Sequence, residues 1–308
     1  MKKAFVLGGS GFLGSYLIDE LKQRRFHVSA LVHKTSLPHD NQSVQALSGS
    51  LTDFDWSSLE PELPDVIFHA ARMGGIGRKT RQKAAAYNKK ANERLLSWMK
   101  SLDSAPLLVF VSGTLVYGSH GNQPVDESYE PQPISFQQEY FEAEKPVLEA
   151  FRESNLPVII VRPSWIYGPG SWFRAFYLTY MDKNQKVPVY GNGDNLMAFV
   201  HVRDCAAMMI HAALHKNKNQ VFNLFTSSSF KQKEFSGFLS DYTSLPLKKV
   251  PLLWLRIRFD HAVSEAFRFS LNLTTRHTPL WRDYTPYYSS IKSGVKEILS
   301  GNPIKNEP

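Results

Sequence analysis

Three observations predict an α/β fold, a parallel sheet doubly wound by helices, with a smaller, mostly helical C-terminal lobe. Short apolar runs alternate with longer amphipathic runs from the N-terminus to about Phe225. A glycine-rich turn joins the first apolar run to the first amphipathic one. Beyond Thr226 the strand pattern stops and helical segments with interleaved aromatics and arginines take over.

In order, Lys2–Gly9 reads as a buried strand and Phe12–Arg25 as a helix. His27–His33 and Val44–Ser50 are the second and third strands. Asp65–Ala71 (DVIFHAA) is the fourth, bounded by Pro64. Arg81–Leu102 is a long helix with Leu95, Leu96 and Met99 on one face. Leu107–Gly113 is the fifth strand, Phe136–Glu153 holds a helix, and Val158–Arg162 is the sixth strand. Pro163–Asn195 loosens into Gly, Pro and aromatics. Phe199–Val202, a helix at Arg203–His215 and a strand at Gln220–Phe225 return to the sheet-like pattern. The expected organisation is a main domain of 1–165 plus 197–226, and a lobe of 166–196 plus 227–308.

At 308 residues the chain can bury a sizeable core. Hydrophobic residues make up 43% and charged ones 21%, which is ordinary for a soluble protein. The single cysteine, Cys205, excludes an internal disulfide and fits a reducing cytoplasm. After Met1-Lys2-Lys3, the apolar run Ala4–Leu7 is too short for a signal-peptide core. No uncharged apolar stretch reaches the roughly 18 residues of a membrane span. The net charge of +8 is scattered, with clusters at Arg72–Lys83 and at Arg256, Arg258 and Arg268. No nucleic-acid motif accompanies it. The expected partner is a small molecule, anionic or apolar.

Gly8-Gly9-Ser10-Gly11-Phe12-Leu13-Gly14 sits between strand and helix, where a phosphate-binding turn must sit. Glycines let the backbone approach a pyrophosphate, and the helix N-terminus offers free N–H groups to the anion. The turn therefore reads as one half of a dinucleotide site. At the end of the second strand an acidic residue would hold the 2′-hydroxyl of NAD. This chain has His33 and Lys34 there, which suits the 2′-phosphate of NADP and puts NADP(H) ahead of NAD.

The ordered motifs resemble the extended short-chain dehydrogenase/reductases, the epimerase/dehydratase branch. They are Gly8, Gly11 and Gly14; His69-Ala70-Ala71; Asn88; Ser112 and Val116-Tyr117-Gly118; Arg162-Pro163 with Tyr167-Gly168-Pro169-Gly170; Gly191-x-Gly193; Phe199-Val200-His201-Val202 with Asp204; and Asn223. The resemblance implies a Rossmann domain and a lobe that covers the substrate. It places Ser10, Phe12 and Leu13 at the phosphates, Ser50 and Leu51 near the adenine, and Ala70, Ala71, Asn88, Ser112 and Pro163 along the cofactor. Family members are often dimers through two long helices, here Arg81–Leu102 and Phe136–Glu153, so a homodimer is the expected assembly.

The family's chemistry uses a Tyr, a Lys four residues later on the same helix face, and a Ser or Thr. This chain does not supply the pair. Tyr140 and Lys145 are five apart, a rotation of about 500°, roughly 140° off the starting face. Counting back from Arg162-Pro163 puts the Lys position at Tyr140 and the Tyr position at Phe136, with Glu144 four residues further on. A one-residue shift would pair Phe141 with Lys145 and still give no Tyr. The Ser/Thr position falls on Gly113, with Thr114 next to it. Phe136 has no proton to transfer, so the expected acid/base candidates are Tyr140 first, then Thr114, Tyr117 and Tyr167. Pro146 predicts a disturbance of that helix. Met197 and Ala198 stand where nucleotide-sugar members often carry an Arg. Trp165, Tyr167, Trp172, Phe173, Phe176 and Tyr177 are plentiful lobe aromatics, several of which are expected to line an apolar pocket. His69, His201 and His211 lack metal-ligand spacing, and no metal site is expected. In Trp254–Phe259 and Phe267–Phe269 the expected reading is a lobe segment whose aromatics pack inward rather than a basic amphipathic surface. Three activities fit this sequence: an atypical reductase or epimerase, a non-redox isomerase, lyase or cyclase, and an NADP(H)-binding regulator.

Overall fold

The computed structural model describes residues 2–33, 37, 43–74, 77–153, 156–215 and 219–301. Its centre is a seven-stranded sheet of β1 (Lys3–Leu7), β2 (His27–Val32), β3 (Val44–Ser48), β4 (Val66–His69), β5 (Leu107–Val111), β6 (Val158–Pro163) and β7 (Gln220–Leu224). The order across the sheet is β7-β6-β5-β4-β1-β2-β3, and every neighbouring pair is parallel. The chain runs outward from β1 to β3, then crosses back to β4 on the other side of β1. That reversal opens a crevice at the C-terminal ends of β1 and β4, where such sheets bind ligands.

Strand alternation splits the core between the two faces. Val6, Val109 and Val161 face α1 (Phe12–Gln23) and the helix Val202–Leu214, which contribute Leu17, Ile18, Cys205 and Met209. Phe5, Leu7, Leu108 and Ile160 face α2 (Arg78–Ser101) and α3 (Ser135–Glu153), which contribute Leu95, Met99 and Val147. A separate apolar cluster joins Tyr167, Phe173, Tyr177 and Phe199 to Phe235, Leu255, Phe267 and Val295, so two distant stretches of chain share one core.

Three expectations change. Phe199–His201 does not join the central sheet; it pairs in parallel with Trp165–Tyr167 as a separate ribbon. Helix α2 begins at Arg78, one turn before the expected start, with Gly77 as its N-cap at φ 81°. Pro146 does not break α3, which runs unbroken from Ser135 to Glu153 with Pro146 buried inside it. The missing N–H costs one helical hydrogen bond, and packing of α3 on α2 and β6 holds the helix through it. Asp204 ties the chain's late segment to the helix Val202–Leu214. Its carboxylate accepts from the Tyr284 hydroxyl at 2.7 Å and from the backbone N–H groups of Tyr287 and Tyr288.

Candidate cofactor cleft and substrate pocket

At the first turn the Gly11 N–H donates to the Gly8 carbonyl at 2.9 Å and closes a tight loop ahead of α1. Gly8 sits at φ +87°, and a Cβ there would lie 2.8 Å from the Ala71 backbone. A Cβ at Gly14 would collide with the Gly8 carbonyl oxygen and sit 2.7 Å from its carbon. No side chain caps the N-terminus of the twelve-residue α1, so its first-turn N–H groups face outward. A glycine cradle backed by an uncapped helix start fits the phosphates of a dinucleotide.

From the cradle a cleft of about 560 Å³ runs along the C-terminal ends of the strands. Gly8, Ser10, Gly11, Phe12, Leu13, His33, Leu51, Ala70, Ala71 and Ser112 border it, with Arg72, Met73 and Tyr87. Among the described residues lining this cleft there is no carboxylate. Lys34 lies outside the described residues. Gly14 sits behind the cradle as a packing glycine. Ser50 does not border the cleft; its hydroxyl bonds Asp53. Asn88 is buried and clamps Met73, accepting its N–H and donating to its carbonyl, both at 2.9 Å. That clamp shapes the loop after β4.

Next to the cleft lies a pocket of about 250 Å³. Phe12, Arg72, Ser112 and Ile166 border both spaces, so the two adjoin. The pocket walls include Phe136, Trp165, Trp172, Thr114, Gly113 and Pro163. A smaller chamber behind Arg72 and Ser112 is lined by His69, Asn92, Gln137, Tyr140 and Glu144. Phe136 and Tyr140 share the inner face of α3, their rings 6.1 Å apart. The Arg72 guanidinium covers the Tyr140 ring at 4.1 Å. Lys145 faces away, half exposed and paired with Glu142 at 2.6 Å. Phe141 packs beneath the sheet.

The other two tyrosine candidates stand apart from these spaces. Tyr117 is fully buried, donates to Asn223 at 2.7 Å, and lies under Arg162 at 4.7 Å. Tyr167 is buried between Phe199 and His201. Burial pushes both phenols up from their ordinary value.

Glu144 is the feature that motif reading did not assign to the site. It is buried, accepts from the Ser112 hydroxyl at 2.7 Å, and leaves Oε1 without a hydrogen-bond partner. Burial raises its carboxyl above the usual range, against the pull of Arg162, the Ser112 hydrogen bond and Arg72. Its place four residues after Tyr140 on one helix face was the available signal. The basic cluster after β4 also separates by role. Arg81 is buried and bridges Glu139 at 3.7 Å and Asp260, tying α2 to α3 and to the lobe. Arg78 and Lys79 are exposed on α2. Arg72 alone of these four lines the cleft, the pocket and the chamber. Among the described residues no group of His, Cys, Asp or Glu could hold a metal ion, and no helix is long and apolar enough to cross a membrane.

The sequence profile of the NAD dependent epimerase/dehydratase family matches residues 4–224. The chain is 25% identical over 248 residues to the decarboxylating sterol-4-alpha-carboxylate 3-dehydrogenase of Dictyostelium discoideum, covering 76% of this chain and 74% of that one. It is 25% identical over 328 residues to short-chain dehydrogenase/reductase family 42E member 1 of Mus musculus, covering 95% and 82%. In fold it is similar to the crystal structure of the human epimerase family protein SDR39U1 with NADPH, with a TM-score of 0.78 and 18% identity over 97% of this chain and 99% of that one.

Proposed function

The chain belongs to the NAD-dependent epimerase/dehydratase family, within the extended short-chain dehydrogenases/reductases, and from that premise we propose an enzyme that holds NADP(H) and reduces or epimerises a small organic substrate. The observation that carries this reading is that the glycine cradle borders the cleft and that the cleft adjoins the aromatic pocket along Phe12, Arg72, Ser112 and Ile166. A nicotinamide cofactor supplies the hydride donor or acceptor when bound.

Gly8, Ser10, Gly11 and the start of α1 hold the phosphates. Leu51 serves the adenine end, and Ala70, Ala71 and Ser112 border the rest. His33, with the cleft's lack of a carboxylate among the described residues, supports a 2′-phosphate over a free 2′-hydroxyl. Calorimetry is expected to give NADPH at least about tenfold tighter binding than NADH, a difference near 1.4 kcal/mol. Equal affinities, or tighter NADH, overturn the assignment.

The pocket suits an apolar ring system that carries an anionic group. Phe136, Trp165 and Trp172 supply carbon surface, and Arg72 is the cation in its lining. The Dictyostelium relative is named for a sterol carboxylate, which is such a molecule. Thr114 presents its hydroxyl to the reacting oxygen, and Tyr140 in the adjoining chamber is the acid/base. Tyr140→Phe is expected to cut turnover of an identified substrate about a hundredfold, the lower end of what a positioned acid contributes. Full turnover in that variant rejects Tyr140. Phe136 at the usual Tyr position and the outward Lys145 favour a second reading, an NADP(H)-binding regulator. It predicts tight NADPH binding with no NADPH consumption across a broad panel of carbonyl compounds and carboxylic acids.

A further inference from the structure

The lobe segment expected to pack its aromatics inward does so only in part. Phe267 and Phe269 are buried. The short helix Leu252–Arg258 instead leaves Leu253 60%, Trp254 37% and Ile257 78% exposed. Just before it, Leu247 is 50% exposed on an edge strand.

Helical geometry sorts this helix. Setting Leu253 at zero, Ile257 lies at roughly 40° and Trp254 at roughly 100° around the axis. Leu255, the buried anchor, lies near 200°. Arg256 and Arg258 fall at about −60° and 140°, one on each side of the exposed apolar arc. Both are exposed, as are Lys248 and Lys249 on the preceding strand. From Ser244 to Phe259 the chain carries these four cations and no Asp or Glu. A cleft of about 270 Å³ opens beside the helix, lined by Leu253, Arg256, His261, Ser264, Glu265 and Arg268. Its one carboxylate, Glu265, accepts a hydrogen bond from the Ser135 hydroxyl of α3.

We propose that this face docks on the anionic surface of a phospholipid bilayer. Leu253, Ile257 and the Trp254 edge enter the acyl boundary, and the flanking cations sit at the level of the headgroups. The cleft formed by Arg256, His261 and Arg268 receives a headgroup phosphate. An exposed apolar arc flanked by cations on both sides is the pattern of an interfacial helix. Charge decides the occupant: a stretch with four cations and no carboxylate complements anionic lipid. An apolar protein partner alone would need no such rim.

Each cation near an anionic leaflet raises partitioning about fivefold, and the effect is screened within a Debye length. The full-length, NADPH-loaded protein should float with vesicles containing about 30% phosphatidylglycerol, at least roughly tenfold more than with pure phosphatidylcholine. Raising salt to about 0.5 M should remove most of that preference. Leu253→Ser with Ile257→Ser should abolish flotation, and Arg256→Gln with Arg268→Gln should erase the preference for anionic lipid. Thermal midpoint and NADPH affinity should be unchanged in both, because these side chains lie outside the core and the cleft. Equal flotation on both vesicles, no flotation on either, or full binding by the double-serine variant overturns the proposal. So does a wild-type oligomer that the double-serine change splits, since the face would then join copies of this chain.

Discussion

Gly14→Ala is expected to lower NADPH affinity by at least about a thousandfold. Gly14 is in the first turn of α1, and the added methyl would overlap the Gly8 carbonyl and lie 2.9 Å from the Gly9 Cα. All three contacts are backbone atoms, so no side chain can swing aside. The helix start and the Gly8–Gly11 turn must separate, and that turn is the phosphate cradle itself. Each hydrogen bond to a charged group contributes roughly 1.5–3 kcal/mol, so losing two costs about 4 kcal/mol, the stated factor. Overpacking should also take about 1–3 kcal/mol from stability, read as a lower thermal midpoint without cofactor. Gly11→Ala should be milder, because its Cβ meets only the Gly8 carbonyl oxygen at 3.1 Å. Ser15→Ala, one residue beyond Gly14, loses only a local bond to the Phe12 carbonyl and should bind normally. Tight NADPH binding by Gly14→Ala in calorimetry would show that the turn is not the cradle.

The features legible in the sequence were those with local causes. All seven strands of the sheet were readable because each is an apolar run between turn residues. The glycine turn was readable because strand, glycines and helix are contiguous. That Lys145 does not share the face of Tyr140 followed from helical periodicity alone. What escaped depends on distant partners. Ser112 meets Glu144 across 32 residues and Arg81 meets Asp260 across 179, and no local pattern records either meeting. Phe199–His201 has the composition of a sheet strand, yet its partner is the three-residue Trp165–Tyr167, too short to give a period. The helix Leu252–Arg258 misled for a related reason. Its apolar residues ring most of the axis, and composition cannot tell that packing covers Leu255, much of Leu252 and one side of Trp254 while leaving Leu253 and Ile257 outside. Tyr117 and Tyr167 carried the right chemistry by type and motif, but their phenols are spent on the core rather than on the cleft.

Acidification from pH 7 to pH 5 is expected to cost the cofactor-free protein about 3–4 kcal/mol of stability, chiefly through two buried histidines. His69 ends β4 with 4% exposure, its ring 5.2 Å from Phe110 and its Nδ1 without a hydrogen-bond partner. Burial pushes its imidazole down to about 4. His201 has 2% exposure, packed against Tyr167 and Tyr288, and burial also brings it to about 4 while Glu297 at 3.9 Å opposes. Both folded values lie below the 6.5 of the unfolded chain, so the fold prefers the neutral rings. Their stabilisation is complete above pH 6.5 and drains as pH falls toward 4. At pH 5 each ring has lost about 2 kcal/mol. Glu144 works with the opposite sign. Its raised carboxyl favours the fold most below its ordinary 4.5 and loses that contribution as pH rises through the folded value, so acidification recovers part of the histidine loss. Denaturant titrations across this range should therefore slope downward with acid, and His69→Phe, which keeps a ring without a titrating nitrogen, should remove about half of the slope. A pH profile in that variant identical to wild type would mean that His69 is not held neutral in the fold.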